Sequence, residues 1–134
     1  MHTTRYGLRV DVPLPYDQAM AKTRAALEKE GFGVLTEIDV KATLKKKLDV
    51  DFRDYIILGA CNPPLAHQAL TEEREIGLLL PCNVIVYAGE RADRSVVAAL
   101  DPVEQLKLTG NTHLEPLAGD VRAQMERVLA NVAG

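Results

Sequence analysis

The chain has 134 residues, 47% of them hydrophobic and 26% charged, a composition typical of one globular domain with its own core. Its net charge of −3 argues against binding to a nucleic-acid backbone, which favours clustered lysine and arginine. It lacks an apolar segment of the ~20 residues that span a bilayer and an N-terminal secretory signal, so we expect a cytoplasmic protein without nucleic-acid or membrane partners.

The first part of the chain predicts two strands that alternate with two helices. Residues 5–12 alternate between apolar and polar side chains, which is typical of a half-buried strand. Apolar residues at helical spacing then predict an amphipathic helix that begins near Tyr16 and ends at Gly31. Residues 32–38 are predicted to form a second strand, and residues 40–48 a short helix with lysines on its outer side.

The middle of the chain predicts a buried strand that leads directly into a helix. The continuous apolar run Tyr55–Leu58 is typical of a central strand buried on both faces. Asn62 is a favourable N-cap residue, and Pro63 suits the first helical position because a proline there loses no hydrogen bond. We therefore expect a helix to begin at Pro63.

The last part of the chain predicts further strands and a closing helix. Leu78–Leu80 is predicted to be a strand that Pro81 interrupts and residues 84–87 continue. Because proline cannot donate to a strand ladder, Pro81 indicates a sheet edge or a bulge. Residues 95–100 predict the last strand, and Pro116 opens a long amphipathic helix.

This order of elements predicts an α+β fold for residues 1–134 as a single domain. The strands are grouped in the middle of the chain, which favours a mostly antiparallel sheet with helices packed on one face. Strict alternation of strands and helices is absent, so a doubly wound parallel sheet is disfavoured.

Three segments together carry a family resemblance: Gly31–Asp39, Ile57–Pro63 and Gly77–Asn83. With these segments the chain resembles the bacterial and archaeal domain-of-unknown-function family number three hundred and two, over nearly its whole length. The resemblance implies a TATA-box-binding-protein-like fold of β-α-β(4)-α order and a homodimer. It implies no activity, and a fold of this kind by itself gives no reason to expect DNA binding.

The chain has two cysteines, and each is followed by an asparagine: Cys61-Asn62 and Cys82-Asn83. If the strands that flank these segments are antiparallel, the two segments meet at the same edge of the sheet. Asparagine can both donate and accept hydrogen bonds, and so can contact a ligand. We therefore expect a non-catalytic, dimeric module that binds a small-molecule ligand where the segments meet, without a cofactor.

Two other functions remain open at this point. Cys61 precedes a helix N-terminus, where the helix dipole favours a thiolate, so Cys61 and Cys82 are also candidates for thiol-dependent redox or transfer chemistry. With His67 they would form a Cys2His set that suits zinc, although their spacing matches no compact metal motif. Free cysteine is also often only a small buried hydrophobic residue.

Overall fold

The computed structural model describes all of residues 1–134, which are organised around one six-stranded antiparallel sheet. The strands are β1 (His2–Thr3), β2 (Gly7–Val12), β3 (Gly33–Asp39), β4 (Tyr55–Cys61), β5 (Cys82–Ala88) and β6 (Ser95–Leu100). Their order across the sheet is β1-β2-β6-β5-β4-β3, and every neighbouring pair is antiparallel. Strands β3 and β1 therefore form the two edges.

Five α-helices accompany the sheet. They are α1 (Tyr16–Lys29), α2 (Val40–Leu48), α3 (Pro63–Glu72), α4 (Pro102–Leu106) and α5 (Glu115–Ala133). Short 3₁₀ helices span Arg74–Leu79, Lys107–Thr109 and Thr112–Leu114. The main elements β2, α1, β3 to β6 and α5 follow the β-α-β(4)-α order, which confirms the expected α+β fold. No helix is both long and apolar enough to cross a membrane.

The main core lies between the sheet and the two long helices, α1 and α5, which also contact each other. Alternate residues of β2, namely Leu8, Val10 and Val12, are at most 5% exposed and belong to this core. Helix α5 contributes the stripe predicted from its spacing: Val121, Met125, Val128, Leu129 and Val132. Nineteen buried residues form this cluster, and the removal of their apolar surface from water stabilises the fold.

A second, smaller cluster lies towards the ends of β4 and β6, beneath the short helices. Its six buried residues are Ala69, Ile76, Leu106, Leu114, Leu117 and Ala118. They come from α3, α4, the start of α5 and the 3₁₀ helices Arg74–Leu79 and Thr112–Leu114. Short elements rather than one long helix therefore cover this end of the molecule.

The predicted strand at Leu78–Leu80 is wrong. Residues Arg74–Leu79 form a 3₁₀ helix, in which residues three apart lie on the same side. Ile76 and Leu79 accordingly pack against the small cluster, whereas Leu78 is 84% exposed. Pro81 does not mark a sheet edge either, because β5 begins at the next residue and lies between β4 and β6.

The expectation that the Tyr55–Leu58 run is buried on both faces is also wrong. Ile56 and Leu58 are buried against the helices, but Tyr55 and Ile57 point to the opposite side, which we call the open face, and are half-buried. Strand β4 is the neighbour of edge strand β3, not the centre of the sheet. The apolar run therefore correctly indicated a strand, but it did not indicate how many faces of that strand are buried.

Candidate functional site

The two cysteines lie on neighbouring internal strands, where β4 ends and β5 begins. Cys61 ends β4, Cys82 begins β5, and Cys82 pairs with Ala60, the residue before Cys61. Neighbouring strands are about 4.8 Å apart, so the Cα atoms of the two cysteines are within roughly 7 Å of each other. Both cysteines are free thiols.

Both thiols line a pocket of about 370 Å³. Nineteen residues surround it and thirteen of them are hydrophobic. The walls come from the ends of β4 and β5, from edge strand β3, and from helices α3, α4 and α5. The pocket therefore lies where the small cluster meets the main core, beneath the short helices.

Helix α3 forms one wall of the pocket, and its first residues determine where it begins. Asn62 Oδ1 accepts a hydrogen bond from the backbone N–H of Leu65 at 3.5 Å, and Pro63 occupies the first helical position, as predicted. Among the residues of the helix only Ala69 is buried. Leu65 and Leu70 line the pocket, so the apolar stripe of α3 faces the cavity instead of a filled core.

Helix α4 forms another wall, which sequence analysis missed. Asp101 Oδ1 accepts a hydrogen bond from Val103 N–H at 3.0 Å, while its Oδ2 lies 3.3 Å from Arg122 Nε on α5. This carboxylate therefore caps α4 and ties it to α5. Within α4, Gln105 is buried, lines the pocket and donates a hydrogen bond to the carbonyl oxygen of Leu79. The Asp-Pro pair that starts α4 carries the same signal as the Asn-Pro pair that starts α3.

Gly59 allows two pocket walls to approach each other closely. A Cβ atom at this position would lie 2.8 Å from Pro81 Cγ and would also overlap the hydroxyl of Thr36. Thr36 is paired with Gly59 across the β3–β4 ladder, and both Thr36 and Pro81 line the pocket. Thr36 and Pro81 can therefore lie this close together only because residue 59 has no side chain.

Burial controls the chemistry of the second thiol. It raises the pKa of Cys82 to about 11, and the nearby Cys61 thiol adds to the increase. At neutral pH Cys82 is therefore a neutral thiol, a weak hydrogen-bonding group with the character of a small hydrophobic residue. This arrangement suits contact with an apolar ligand better than nucleophilic attack.

Two of the predicted site residues do not line the pocket. Asn83 lies one residue after Cys82 on β5, so its side chain is on the opposite side of the strand, where it is exposed and borders a different groove. His67 is exposed on α3. The structure contains no group of three or more His, Cys, Asp or Glu side chains that could hold a metal ion, and so Cys61, His67 and Cys82 do not form a metal-binding set in it.

Comparison with known proteins assigns the family. Residues 8–132 match the family described as Domain of unknown function DUF302. The chain is also similar to the crystal structure of an uncharacterized conserved DUF302 protein from Bacillus stearothermophilus. The identity is 26% and the TM-score is 0.88, and the match covers 96% of this chain and 99% of the other. No curated protein matches the chain. The match over nearly the entire length shows that the chain belongs to the DUF302 family.

Proposed function

We propose that this domain is a non-catalytic binding module for a small, uncharged and largely apolar molecule. The observation that carries the proposal is the pocket of about 370 Å³ with thirteen hydrophobic residues among its nineteen. Its volume falls within the range of ordinary small-molecule sites, which are mostly apolar with a few polar groups that orient the ligand. No Lys, Arg, Asp or Glu side chain lines it, so a charged ligand group would find no partner there.

The polar groups of the pocket indicate how a ligand would be oriented. Asn62 uses its Oδ1 atom to cap α3, while its Nδ2 group makes no hydrogen bond within the protein. Thr36 contributes a hydroxyl group from β3, the strand that pairs with β4. A ligand with one carbonyl or hydroxyl group on an apolar body would therefore be held by a few hydrogen bonds at one end and by apolar contacts elsewhere.

The pocket is tested by titration with N-phenyl-1-naphthylamine, a neutral apolar probe whose fluorescence rises on binding. We expect saturable binding by the native protein. Ala66 lines the cavity on α3, so Ala66→Phe should fill it and weaken binding at least about tenfold. Ala21→Phe adds the same side chain at an exposed position of α1 and should bind as the native protein does.

The proposal would be abandoned if the probe failed to bind, or if Ala66→Phe bound it as well as Ala21→Phe did. Thermal unfolding of both variants, followed by circular dichroism, establishes that each is folded. If Ala66→Phe proves unfolded, Leu70→Phe supplies a second blocked pocket, because Leu70 lines the cavity but is 41% exposed.

Thiol alkylation separates binding from the thiol-enzyme alternative. With a pKa of about 11, against about 8.5 for a thiol in an unfolded chain, Cys82 has roughly 300-fold less thiolate at neutral pH. We therefore expect iodoacetamide to label Cys82 about 300-fold more slowly in the native protein than in urea, as followed by peptide mass spectrometry. Equal rates in the two states would instead favour thiol chemistry at this site.

We further propose that the module acts as a homodimer that pairs through β3. The support is the outer edge of this strand, where no neighbouring strand satisfies the backbone, together with the exposure of Leu35 (67%) and Ile38 (48%). A second β3 placed antiparallel across a twofold axis is self-complementary, because each strand offers the other the same pattern of donors and acceptors. Leu35 also lines the pocket, so this pairing would cover its outer side.

Light scattering at micromolar concentration tests the dimer, for which twice the monomer mass is expected. Ile38→Lys places a charge on the proposed interface without touching the pocket and should yield a monomer. Leu78→Lys makes the same kind of change at an even more exposed apolar residue, in the Arg74–Leu79 turn, and should remain dimeric. A monomeric native protein, or a dimer that persists in Ile38→Lys, would contradict pairing through β3.

A further inference from the structure

A separate cavity differs from the apolar pocket in having many charged residues in its lining. It is a groove of about 520 Å³ that includes the open face of the sheet near the β5–β6 turn. Four of the chain's nine arginines and none of its seven lysines line it: Arg9, Arg53, Arg91 and Arg94. No residue lines both this groove and the apolar pocket. We call it the arginine groove.

The arginine groove is only partly neutralised by acidic side chains. Arg91 pairs with Asp93 at 3.1 Å, and Arg53 is 3.7 Å from Glu90. Arg9 and Arg94 form no ion pair, although Asp11 also lines the groove. Two guanidinium groups therefore remain without a carboxylate partner in a protein whose net charge is negative.

Arg9 provides a second and independent observation. Its Nε atom is buried and has no hydrogen-bond partner. A buried donor without an acceptor is unfavourable, and such groups are rare in folded proteins unless a water molecule or a ligand completes them. The unsatisfied Nε belongs to a side chain that lines the groove, so a bound acceptor that draws the Arg9 guanidinium outwards would supply the missing partner.

We propose that the arginine groove binds a small phosphate-bearing ligand, with Arg9 and Arg94 as its principal contacts. The guanidinium group is a planar fork that forms paired hydrogen bonds with phosphate oxygens, whereas lysine offers only a point charge. A carboxylate has two oxygens and satisfies one such fork, but a terminal phosphate has three and can bridge two. Tyr87 also lines the groove and adds a phenolic hydroxyl as a further donor.

Isothermal titration with inorganic pyrophosphate at constant ionic strength tests this proposal. We expect saturable binding of one pyrophosphate per chain that weakens as salt is added. Arg94→Gln and Arg9→Gln should each weaken it at least about tenfold. Arg74→Gln is the matched control, because Arg74 is exposed, lies outside the groove and should leave binding unchanged. Succinate should bind at least about tenfold more weakly than pyrophosphate.

Absence of saturable binding would overturn the proposal. So would equal losses in Arg74→Gln and Arg94→Gln, which would indicate nonspecific attraction by surface charge, and so would succinate binding as tight as that of pyrophosphate. Arg94 immediately precedes β6 and is exposed, so its substitution tests the groove even if Arg9→Gln perturbs β2. Because Ala66→Phe blocks only the apolar pocket, it should bind pyrophosphate normally, and this keeps the two sites experimentally separate.

Discussion

The two buried clusters of this protein differ in how they are covered. In the main core, α1 and α5 lie along the sheet and nineteen residues close into one cluster. At the other end, the five-residue helix α4, the 3₁₀ turns and α3 cover only six buried residues and leave the apolar pocket between them. Long amphipathic helices therefore produce a filled core, whereas short, separately capped elements leave a cavity that suits a ligand.

The largest expected effect comes from truncating one leucine in each region. Leu58 is fully buried in the main core, so Leu58→Ala should destabilise the protein by about 3–5 kcal/mol. Leu65 is half-buried and already borders the pocket, so Leu65→Ala should cost only about 1 kcal/mol. Urea unfolding followed by circular dichroism measures both values. Similar losses at the two positions would remove the distinction between the two regions.

The pH dependence of the free energy of unfolding tests whether the Cys82 thiol is shielded from water. Its pKa is about 11 in the folded protein, whereas a thiol in an unfolded chain titrates near pH 8.5. Between these values only the unfolded chain loses its proton, so stability falls as pH rises, by roughly 2 kcal/mol at about pH 10. Cys82→Ala should lose this part of the decline in urea unfolding. The same slope in both proteins would show a hydrated thiol.

A smaller effect is expected from filling the gap at Gly59. Gly59→Ala should cost about 1–3 kcal/mol, because the new methyl group meets the rigid ring of Pro81 and the side chain of Thr36. Thr36→Ala removes one of these two obstacles and should recover part of the loss in the double variant. Thermal unfolding of the two single variants and the double variant measures the coupling. Purely additive losses would mean that Thr36 is not the obstacle.

The smallest effect concerns the cap of α3. Asn62→Ala should destabilise the protein by about 1 kcal/mol or less, since the 3.5 Å cap to Leu65 N–H is long for a hydrogen bond. Asn62→Asp keeps the acceptor and should be neutral in urea unfolding. Because Asp lacks the Nδ2 donor, it should nevertheless weaken the binding of a ligand that carries a carbonyl group. Equal stability of Asn62→Ala and Asn62→Asp would show that the cap does not hold the helix.

The parts of the fold that depend on local patterns were predictable from the sequence. The spacing of Val121, Met125 and Val128 correctly predicted the buried face of α5. Gly31 has a φ of 85° and terminates the chain segment that follows α1, as predicted for a glycine at this position. The Asn62-Pro63 pair correctly located the start of α3. In each case, residues close together in the chain determine where the helix begins, where it ends or which side it buries.

The parts that depend on distant residues were not predictable. Leu78–Leu80 is apolar enough for a strand, but the small cluster takes Ile76 and Leu79 in a 3₁₀ turn. The internal position of β5 results from its pairing with both β4 and β6. No residue near Pro81 indicates this pairing. The arginine groove likewise combines Arg9 of β2 with Arg94, which precedes β6, although the two residues are far apart in the sequence.

The irregular pairing of β3 has a consequence for changes in chain length. Val34 pairs with Ala60 and Thr36 with Gly59, so Leu35 is an extra residue in the ladder. Elsewhere in a strand, the loss of one residue turns every following side chain to the wrong side. Here a deletion of Leu35 would join Val34 directly to Thr36 and leave each remaining side chain on its original side. Leu35 is therefore the point at which β3 tolerates a single-codon deletion.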